Sequence, residues 1–412
     1  MRIAIYHNTP LGGAKRGLHG FVRELAARGH HLVEYCLSTA DNGFLPLTDF
    51  IVDRQVIPFT AKEWFPWRVP VLGNHLHAAM RIATLRRLDL ISRQIAHQID
   101  AAGFDLVFAH DCMIARKPPI LRHLTTPSVF YCHHSLRGSP SIYDDAERPV
   151  RSVTMKRMGL RKRFYATAWA WYWWYFSRLE WQTARSADLV LTNSYFARES
   201  YYRDFGVYPR VVPCTVDSDI FAPEGPEKEN YILSVGSLNR QKAPRFLVRA
   251  VSHIPASCRP PLVLLASGGV DTPEAVTTRH LAEELGVLLH LARVTDQQTL
   301  VRYYARAQVF VFAPILEAHG LAPLEAMACG TPVVAVREGG VRETVVHGET
   351  GFLVERDEYQ FADAVTRLLT DAGLRSKMGL AARAHIKQDW GWEAAGDKLE
   401  ACMSEAVRKK ER

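Results

Sequence analysis

Short apolar runs alternate with amphipathic helical patterns along the whole chain. In the first half the runs predict strands near 3–6, 31–36, 106–109, 128–132 and 189–192, with a helix near 17–28 after the first strand. In the second half they predict strands near 231–235, 262–266, 288–291, 309–312 and 332–336, each followed by a helix. Apolar strands that alternate with helices indicate an α/β fold with a doubly wound sheet in each half.

A break in this pattern divides the chain near residue 212. Three prolines and a glycine interrupt the periodicity between 212 and 230, and 412 residues exceed the size at which a single core stops growing. We therefore expect a first domain over 1–212 and a second over 213–388. Ligands of such sheets bind at the carboxyl ends of the strands, so the two sheets are expected to face each other across a cleft.

Composition places the chain among globular proteins. It is 48% hydrophobic and 23% charged, with no low-complexity tract and no repeat at a fixed period. The opening residues, MRIAIYHNTP, have the pattern of a buried strand rather than a secretory signal, so the cytoplasm is the expected location. The seven cysteines are scattered and mostly have apolar neighbours, which favours reduced thiols over disulfides or a zinc site.

Two glutamates, Glu317 and Glu325, surround a turn in the second half of the chain. Prolines and a glycine forbid one helix across both, so we expect Glu317 in the loop after the run 309–312 and Glu325 in the first turn of a helix beginning near Ala322. The first N–H groups of such a helix attract a diphosphate, and carboxylates beside it accept hydrogen bonds from vicinal hydroxyls. This arrangement suits a sugar nucleotide; the alternative is a pair of surface glutamates at a helix end.

The segment 313–354 resembles the family-four retaining glycosyltransferases of GT-B architecture, which carry a glutamate, seven residues and a second glutamate in a G-L-x-x-L-E-A-M-A-x-G-x-P-V-V block. The matching residues are Glu317, Gly320, Leu321, Leu324, Glu325, Ala326, Met327, Ala328, Gly330, Pro332, Val333 and Val334, followed by Gly339, Gly340, Glu343 and Gly351. Weaker matches at T-N-S, D-x-F-x-P and V-G-S segments and at Trp390 and Trp392 extend the resemblance over most of the chain. It implies two Rossmann-like domains facing a cleft and a last helix, 389–412, that crosses back to the first domain.

The resemblance also implies a set of site residues. Glu317 would hold sugar hydroxyls and Glu325 the ribose. The donor-binding residues would be Gly12, Gly13, Gly236, His319, Gly320, Leu321, Ala322 and Glu325, and the catalytic residues His133, Glu317, Arg240 and Lys242. The donor would therefore bind mainly to the second domain and the acceptor mainly to the first.

Arg240 and Lys242 follow a predicted strand and are the expected partners of the diphosphate leaving group. Breaking the anomeric carbon–oxygen bond builds negative charge on the β-phosphate, which fixed cations or a metal must meet. Two cations predict that no metal or other cofactor is needed. Relatives commonly have arginine and glycine where Ser237 and Ala243 stand here, and Arg240 is expected to substitute. Asp217 and Asp219 form a D-x-D, but the surrounding residues match the interdomain segment of the family, so no manganese site is predicted there.

In the first domain, Gly12 and Gly13 precede a helix and would let backbone amides approach a phosphate or sugar. Lys15 and Arg16 add positive charge to this loop; a solvated basic loop is the alternative. His133 ends a strand and, by the resemblance, would point to the transferred sugar near its 6-position, with His134 where several relatives have glutamate. His110 is expected to line the cleft or orient a loop. The F-Y-C-H sequence resembles some mannosyltransferases of the family, which makes GDP-mannose the first donor to consider and a UDP-hexose the alternative.

The segment 151–176 combines basic and aromatic residues: six Lys/Arg and no acid in its first thirteen positions, then nine aromatics in the next thirteen. Its apolar part is too short to span a bilayer, which takes about twenty helical residues. Trp, Tyr and cations prefer the headgroup level of an anionic membrane, and the formal charge of +8 points the same way. A helix packed into the first domain and an oligomer interface are the alternatives; nucleic acid is not an expected partner.

The sequence thus predicts a metal-independent retaining glycosyltransferase that moves a hexose from a nucleoside-diphosphate sugar to a hydroxyl of a glycan or lipid-linked acceptor. Its location would be cytoplasmic, peripheral to the inner face of the membrane. Two alternatives remain. A GT-B sugar-nucleotide epimerase would release free sugar and nucleotide without an acceptor, and a catalytically silent sugar-nucleotide or membrane-binding scaffold would turn over no donor.

Overall fold

The computed structural model of the chain describes residues 1–60, 72–133, 160–225, 227–266, 268–294 and 296–410, with backbone alone at 72–75 and 160–168. The chain forms two compact units. The first comprises Met1–Thr192, Arg198–Val212 and Gly396–Arg412, and the second comprises Asn193–Ala197 and Pro213–Ala395.

The first unit contains a parallel sheet of seven strands in the order β3-β2-β1-β4-β5-β6-β7. The strands are β1 (Arg2–Asn8), β2 (His31–Leu37), β3 (Asp53–Ile57), β4 (Leu106–Cys112), β5 (Ser128–Cys132), β6 (Leu189–Thr192) and β7 (Arg210–Val211). The helices up to the end of this sheet are α1 (Gly13–Ala27), α2 (Leu72–Ala101), α3 (Leu160–Ala184) and α4 (Tyr195–Phe205), with a 3₁₀ turn at Pro119–Arg122.

The second unit contains a parallel sheet of six strands in the order β10-β9-β8-β11-β12-β13. The strands are β8 (Ile232–Val235), β9 (Leu262–Ala266), β10 (Leu289–Arg293), β11 (Val309–Phe312), β12 (Val333–Val336) and β13 (Gly351–Val354). The remaining helices are α5 (Pro244–Ser252), α6 (Pro273–Glu284), α7 (Gln297–Arg306), α8 (Leu321–Ala328), α9 (Val341–Thr344), α10 (Glu358–Thr370), α11 (Ala372–Asp389) and α12 (Trp392–Lys410), with a 3₁₀ turn at Arg240–Lys242.

The central strands carry the core, which confirms the predicted α/β fold with a parallel sheet in each half. Every residue of β4, β5, β11 and β12 is buried, as expected for strands covered by helices on both faces. Three strands were not predicted: β3, β7 and β13, which all lie at sheet edges. No residue of β3 (DRQVI) or β7 (RV) is buried, so neither has an apolar pattern, whereas β13 (GFLV) is mostly buried and is simply short.

The last helix, α12, supplies its later residues to the first unit. A Cβ at Gly396 would lie 2.5 Å from Cγ of Glu24 in α1, so a larger residue here would force that side chain to move. Arg28, at the end of α1, donates to Asp397 at 2.7 Å and to Glu400 at 3.0 Å. The later part of α12 thus packs against α1 in the first unit. No helix in the described parts of the chain has the length and apolar character to cross a membrane.

Candidate active site

The loop after β11, residues 313–320, is the centre of the candidate site and is called the Glu317 loop. Hydrogen bonds to the backbone hold its first residues in place, and Ala313 and Ile315 also pack against the core of the second unit. The Arg356 guanidinium donates to the carbonyls of Ala313 at 3.0 Å and Pro314 at 3.1 Å. The Ile315 N–H donates to the Gln241 carbonyl at 2.8 Å, which ties the loop to the turn after β8. Two turns at the carboxyl ends of adjacent strands are therefore joined.

Two glycines seat the middle of the Glu317 loop. A Cβ at Gly339 would lie 2.2 Å from the Glu317 carbonyl oxygen, and one at Gly340 would lie 2.2 Å from that of Ala318. The Gly340 N–H donates to the Glu317 carbonyl at 2.8 Å. The backbones touch so closely that no side chain fits between them. The glycine pair of the family pattern thus positions the Glu317 backbone.

Glu317 and Lys242, each given a separate role by the sequence, form an ion pair. Lys242 Nζ lies 2.7 Å from Glu317 Oε2, and the side chains are 27% and 22% exposed. Lys242 ends the 3₁₀ turn, and the Asn239 side chain accepts its backbone N–H at 3.0 Å. Gly236 lies beside this lysine, since a Cβ there would be 3.6 Å from Lys242 Cδ. An ammonium has three donors, so Lys242 can hold Glu317 and a ligand oxygen together.

Arg240, the second predicted cation, is placed differently. Its side chain is 56% exposed, and its Nε lies 3.8 Å from Glu274 Oε2. The same glutamate accepts a closer hydrogen bond from Arg245 at 2.7 Å. Arg240 therefore lies near the start of α6, whereas Lys242 contacts Glu317 directly.

The helix α8 begins at Leu321, one residue earlier than predicted, with Ala322 as its second residue. Gly320 is its N-cap, with a left-handed φ of 96°. Glu325 is the fifth helical residue, so its predicted position in the first turn is wrong and it opens the second turn. It is only 5% exposed, and it accepts a hydrogen bond from the Tyr304 hydroxyl at 2.7 Å.

His319 is a buried neutral acceptor within the Glu317 loop. Its Nε2 donates to the Cys214 carbonyl at 2.7 Å, which leaves Nδ1 unprotonated. Nδ1 has no hydrogen-bond partner among the described residues. Burial lowers the pKa of His319 to about 4, so the ring stays neutral near pH 7. Its predicted contact with the donor would use this bare nitrogen.

The segment Asn193–Ala197, at the start of α4, fixes the end of the Glu317 loop. The sequence pattern predicts no role for this segment beyond the T-N-S resemblance. The Ser194 hydroxyl donates to the Ala318 carbonyl and accepts from the Ala197 N–H at 2.9 Å. Glu343, from the family pattern, accepts the N–H groups of Tyr195 and Phe196, each at 2.8 Å. These bonds explain why Asn193–Ala197 belongs to the second unit.

In the first unit, four buried side chains lie on the adjacent strands β2, β1 and β4 and directly after β5. We call this set the polar row: Glu34, His7, His110 and His133. His7 Nε2 is 2.7 Å from Glu34 Oε1, and His110 Nδ1 is 3.0 Å from His133 Nε2. Burial lowers the pKa of His7 and that of His110, so both rings are neutral. His133 follows β5, as the sequence predicts, and its ring is bonded to His110, whereas His7 and Glu34 form a pair that sequence patterns did not single out.

The glycine loop of the first unit contains a buried cation. Gly12 has a φ of 137° and caps α1, which begins at Gly13. Lys15 is fully buried, and its Nζ has no hydrogen-bond partner among the described residues. Burial lowers the pKa of this lysine, while the charge of Glu34 opposes the shift. The interpretation of a solvated basic loop is therefore wrong for Lys15.

Two groups bear on the expectation of a metal-free site. Among the described residues, His7, Glu34 and Cys36 place ligand atoms within 4.8 Å of one another. Arg54 lies 3.1 Å from the same carboxylate, and a cation at that distance repels a divalent ion. In the D-x-D, the Asp217 carboxylate accepts the backbone N–H groups of Asp219 at 3.0 Å and of the next residue at 3.3 Å. It serves there as the cap of a turn.

Solved structures with the same architecture identify the class of fold. The chain is similar to sucrose-phosphate synthase from Thermosynechococcus elongatus, with a TM-score of 0.71, 20% identity, and coverage of 99% of this chain and 100% of that one. It is also similar to HepE from Anabaena in complex with UDP-glucose, with a TM-score of 0.68, 16% identity, and coverage of 98% and 100%. The protein therefore has the GT-B fold of glycosyltransferases.

Family models specify the fold further. The model described as Glycosyltransferase Family 4 matches residues 11–220, and the one described as Glycosyl transferases group 1 matches residues 216–385. The chain belongs to this glycosyltransferase family, which confirms the predicted resemblance. D-inositol 3-phosphate glycosyltransferase from Corynebacterium jeikeium is 31% identical over 249 residues, or 55% of this chain and 59% of that protein. The match thus spans little more than half the length of this relative.

Proposed function

We propose that the protein is a retaining glycosyltransferase that transfers a hexose from a nucleoside-diphosphate sugar to a hydroxyl of a glycan or lipid-linked acceptor. The observation that carries the proposal is the Lys242–Glu317 pair, 2.7 Å apart on two joined turns at the carboxyl edge of a parallel sheet. It puts a cation for a leaving phosphate beside a carboxylate for sugar hydroxyls. Family membership supports the reaction class.

Lys242 would stabilise the charge that develops on the β-phosphate as the anomeric bond breaks. Its pairing with Glu317 aims the ammonium before the donor arrives, so little reorganisation is needed during the reaction. Glu317 would accept hydrogen bonds from the sugar with its carboxylate oxygens while its backbone stays fixed by Gly340. With Lys242 in this role, the reaction would need no metal.

The proposal gives neither glutamate the role of a nucleophile. Glu325 is buried and bonded to Tyr304, whereas Glu317 is partly exposed and bonded to Lys242. A double displacement would need one carboxylate as the nucleophile and a second as the acid and base, and here the two would hold the ribose and the sugar instead. In the proposed reaction the acceptor hydroxyl attacks from the face that the diphosphate leaves, and the phosphate takes its proton.

The remaining predicted residues would bind the two ends of the donor. The N-terminus of α8, free of acidic residues in its first turn, would receive the diphosphate, and Glu325 the ribose. His319 would offer its bare Nδ1. In the first unit, Gly12 and Gly13 would approach the phosphate side and His133 the sugar, near the bound acceptor.

An experiment can decide whether the donor is GDP-mannose or a UDP-hexose. The F-Y-C-H sequence favours the first, and the complex of HepE with UDP-glucose favours the second. Thermal unfolding with GDP, GDP-mannose, UDP and UDP-glucose should show stabilisation by one pair, since a ligand of the folded state raises stability by RT ln(1 + [L]/Kd). Stabilisation by none of the four would contradict a sugar-nucleotide site of this kind.

Turnover with the stabilising donor then tests the reaction. We expect a new glycoside with the anomeric configuration of the donor, measured by NMR, and unchanged activity in EDTA. An inverted product would contradict retention, and loss of activity restored by manganese would contradict the metal-free mechanism. Accumulation of free sugar and nucleotide with no need of an acceptor would instead support an epimerase.

The acceptor in this proposal is presented at a membrane, which the exposed face of α3 would contact. Trp171, Trp174 and Trp181 are 66%, 57% and 42% exposed, and their spacing puts them on one side of the helix. The Arg178 guanidinium lies 6.0 Å from the Trp174 ring centre, and that of Arg185 lies 4.5 Å from Trp181. Trp with interleaved cations suits the headgroup level of an anionic bilayer.

The opposite face of α3 is part of the first-unit core, so the packed-helix alternative is correct for that face. Tyr172 and Phe176 are 7% and 5% exposed, and Trp169, Trp173 and Tyr175 pack against the same core. Residues 151–159, which include the basic residues Arg151, Lys156 and Arg157, lie outside the described residues, as does His134. The side chains of 160–168 are not described. The exposed stripe alone therefore supports membrane contact.

Sedimentation with anionic vesicles at low salt tests this contact. Trp171→Ala with Trp174→Ala should weaken binding, as should neutralising Lys156, Arg157, Arg161, Lys162 and Arg163 together. Tyr359→Ala is the matched control, since this aromatic is 69% exposed on the second unit. Trp173→Ala should lower stability through lost packing instead. Absence of wild-type sedimentation would contradict the membrane contact.

A further inference from the structure

The hydrogen bond between His110 and His133 fixes more than their distance. His110 Nδ1 and His133 Nε2 are 3.0 Å apart, so a single proton lies between the two rings. The ring planes are inclined by 27° with their centres 5.3 Å apart, and the backbone N–H of His133 donates to the Asp111 carboxylate at 2.8 Å. Both the backbone and the ring of His133 are therefore held by β4.

The other nitrogen of His110 indicates which ring donates. His110 Nε2 is buried and has no hydrogen-bond partner among the described residues. If His133 donated, His110 would carry its proton on Nε2 as a buried, unpaired N–H. If His110 donates, Nε2 is instead a bare acceptor. An unpaired buried donor is the rarer of the two in proteins.

The surroundings of His110 agree with a ring that carries one proton. Phe108 and Tyr131 cover it from β4 and β5, with ring centres 4.4 and 5.6 Å away. The charged or titratable groups that act on it are His133 from the end of β5, His7 from β1, Asp111 from β4 and Lys15 from α1. Burial is the largest influence and only Asp111 favours a second proton, so the ring is neutral.

We propose that His110 is a positioning residue that holds the His133 ring in the tautomer with its proton on Nδ1. His133 then carries its proton at Nδ1 and has its lone pair at Nε2 occupied by His110. In this tautomer it has no lone pair left to act as a base for the acceptor hydroxyl. This inference rests on the proposed function for its consequence, but the tautomer itself does not depend on turnover.

The tautomer can be read from long-range proton–nitrogen NMR correlations of protein labelled with [¹⁵N]histidine, near neutral pH. The His133 ring signals are assigned by their loss in His133→Gln. We expect a protonated Nδ1 and a bare Nε2 in the wild type. A proton on Nε2 would overturn the proposal, whether or not the protein transfers sugar.

Two variants at position 110 separate positioning from packing. The amide of His110→Asn can still donate to His133 Nε2, so the Nδ1 tautomer and most of the transfer rate should remain. His110→Phe removes the donor, and we expect a mixture of tautomers and a loss in kcat/KM of about tenfold, typical of a lost orienting partner. A His133 tautomer unaffected by His110→Phe would overturn the proposal. If His110→Phe does not fold, the wild-type and His110→Asn spectra still decide it.

Discussion

The Glu317 loop and the histidines of the polar row lie toward the carboxyl ends of parallel strands, but they are stabilised in opposite ways. At the Glu317 loop the functional groups are charged and partly exposed, as in the Lys242–Glu317 pair, and the backbone is fixed by hydrogen bonds and glycines. In the polar row the side chains are buried and the histidines His7 and His110 are neutral. The Lys242–Glu317 pair can respond to the charge of a ligand, whereas the neutral histidines can only direct a hydrogen bond.

This difference assigns the two units different tasks in the proposed reaction. A partly exposed ammonium can meet the charge that develops on a diphosphate, which a buried neutral ring cannot do. Conversely, a histidine fixed by a neighbouring ring and by Asp111 can recognise a hydroxyl by geometry. We therefore expect substitutions in the second unit to lower transition-state stabilisation most.

The largest effect is expected for Lys242→Ala. Removing one well-placed cation should cost about 2–4 kcal/mol of transition-state stabilisation, measured as kcat/KM. Arg240→Ala is the comparison, because its side chain is 56% exposed and 3.8 Å from Glu274. We expect a loss of about 1 kcal/mol or less for this variant, in the range of an exposed ion pair. Equal losses in the two variants would contradict the special position of Lys242.

The next effect tests the backbone support of the Glu317 loop. In Gly340→Ala the new Cβ would lie 2.2 Å from the Ala318 carbonyl oxygen, and backbone on both sides would have to move. Overpacking of this kind costs about 1–3 kcal/mol, so we expect a free energy of unfolding lower by about 2–3 kcal/mol and a weaker response to the donor. Gly391→Ala is the control, because nothing lies within 4 Å of a Cβ there. Equal unfolding energies in the two variants would show that the loop yields without cost.

Sequence patterns predict the Glu317 loop well because its residues are nearly contiguous. The prolines and glycine require Glu317 to be in a loop, and the structure has it there. The contact of Glu317 with Lys242 is not predictable from spacing, since 75 residues separate them. The helix boundary is off by one residue, which moves Glu325 out of the first turn. Local residue patterns thus predict which groups a loop carries, whereas the pairing of side chains from different strands depends on the fold.

The polar row shows the opposite limit. Its members come from three strands and from the residue that follows a fourth, and each is an isolated polar residue among apolar neighbours. No local pattern distinguishes His7 or Glu34 from a satisfied core residue. Lys15 follows a glycine loop and looks solvated in sequence, yet it is fully buried. Only the strand order, β2-β1-β4-β5, brings these side chains together.

The smallest effect is a pH dependence that isolates His319 of the Glu317 loop. Burial lowers its folded-state pKa from 6.5 to about 4, so below pH 6.5 the unfolded chain binds a proton that the folded protein refuses. The stabilisation that comes from neutral His319 is present above pH 6.5 and is lost as the pH falls toward 4. At 1.4 kcal/mol per pKa unit, and with an allowance for partial relaxation of the site around the ring, the loss is about 2 kcal/mol.

His319→Gln retains an N–H donor for the Cys214 carbonyl but cannot titrate. We expect its free energy of unfolding to decline less steeply than that of the wild type between about pH 7 and pH 4.5, where the remaining slope comes from other groups such as His7 and His110. His280→Gln, with a side chain 75% exposed, should reproduce the wild-type slope. If His319→Gln also reproduced it, the loop would open to water and protonate while folded. His319 would then be accessible to solvent in the folded protein, as the Lys242–Glu317 pair is, and would not be a buried neutral acceptor.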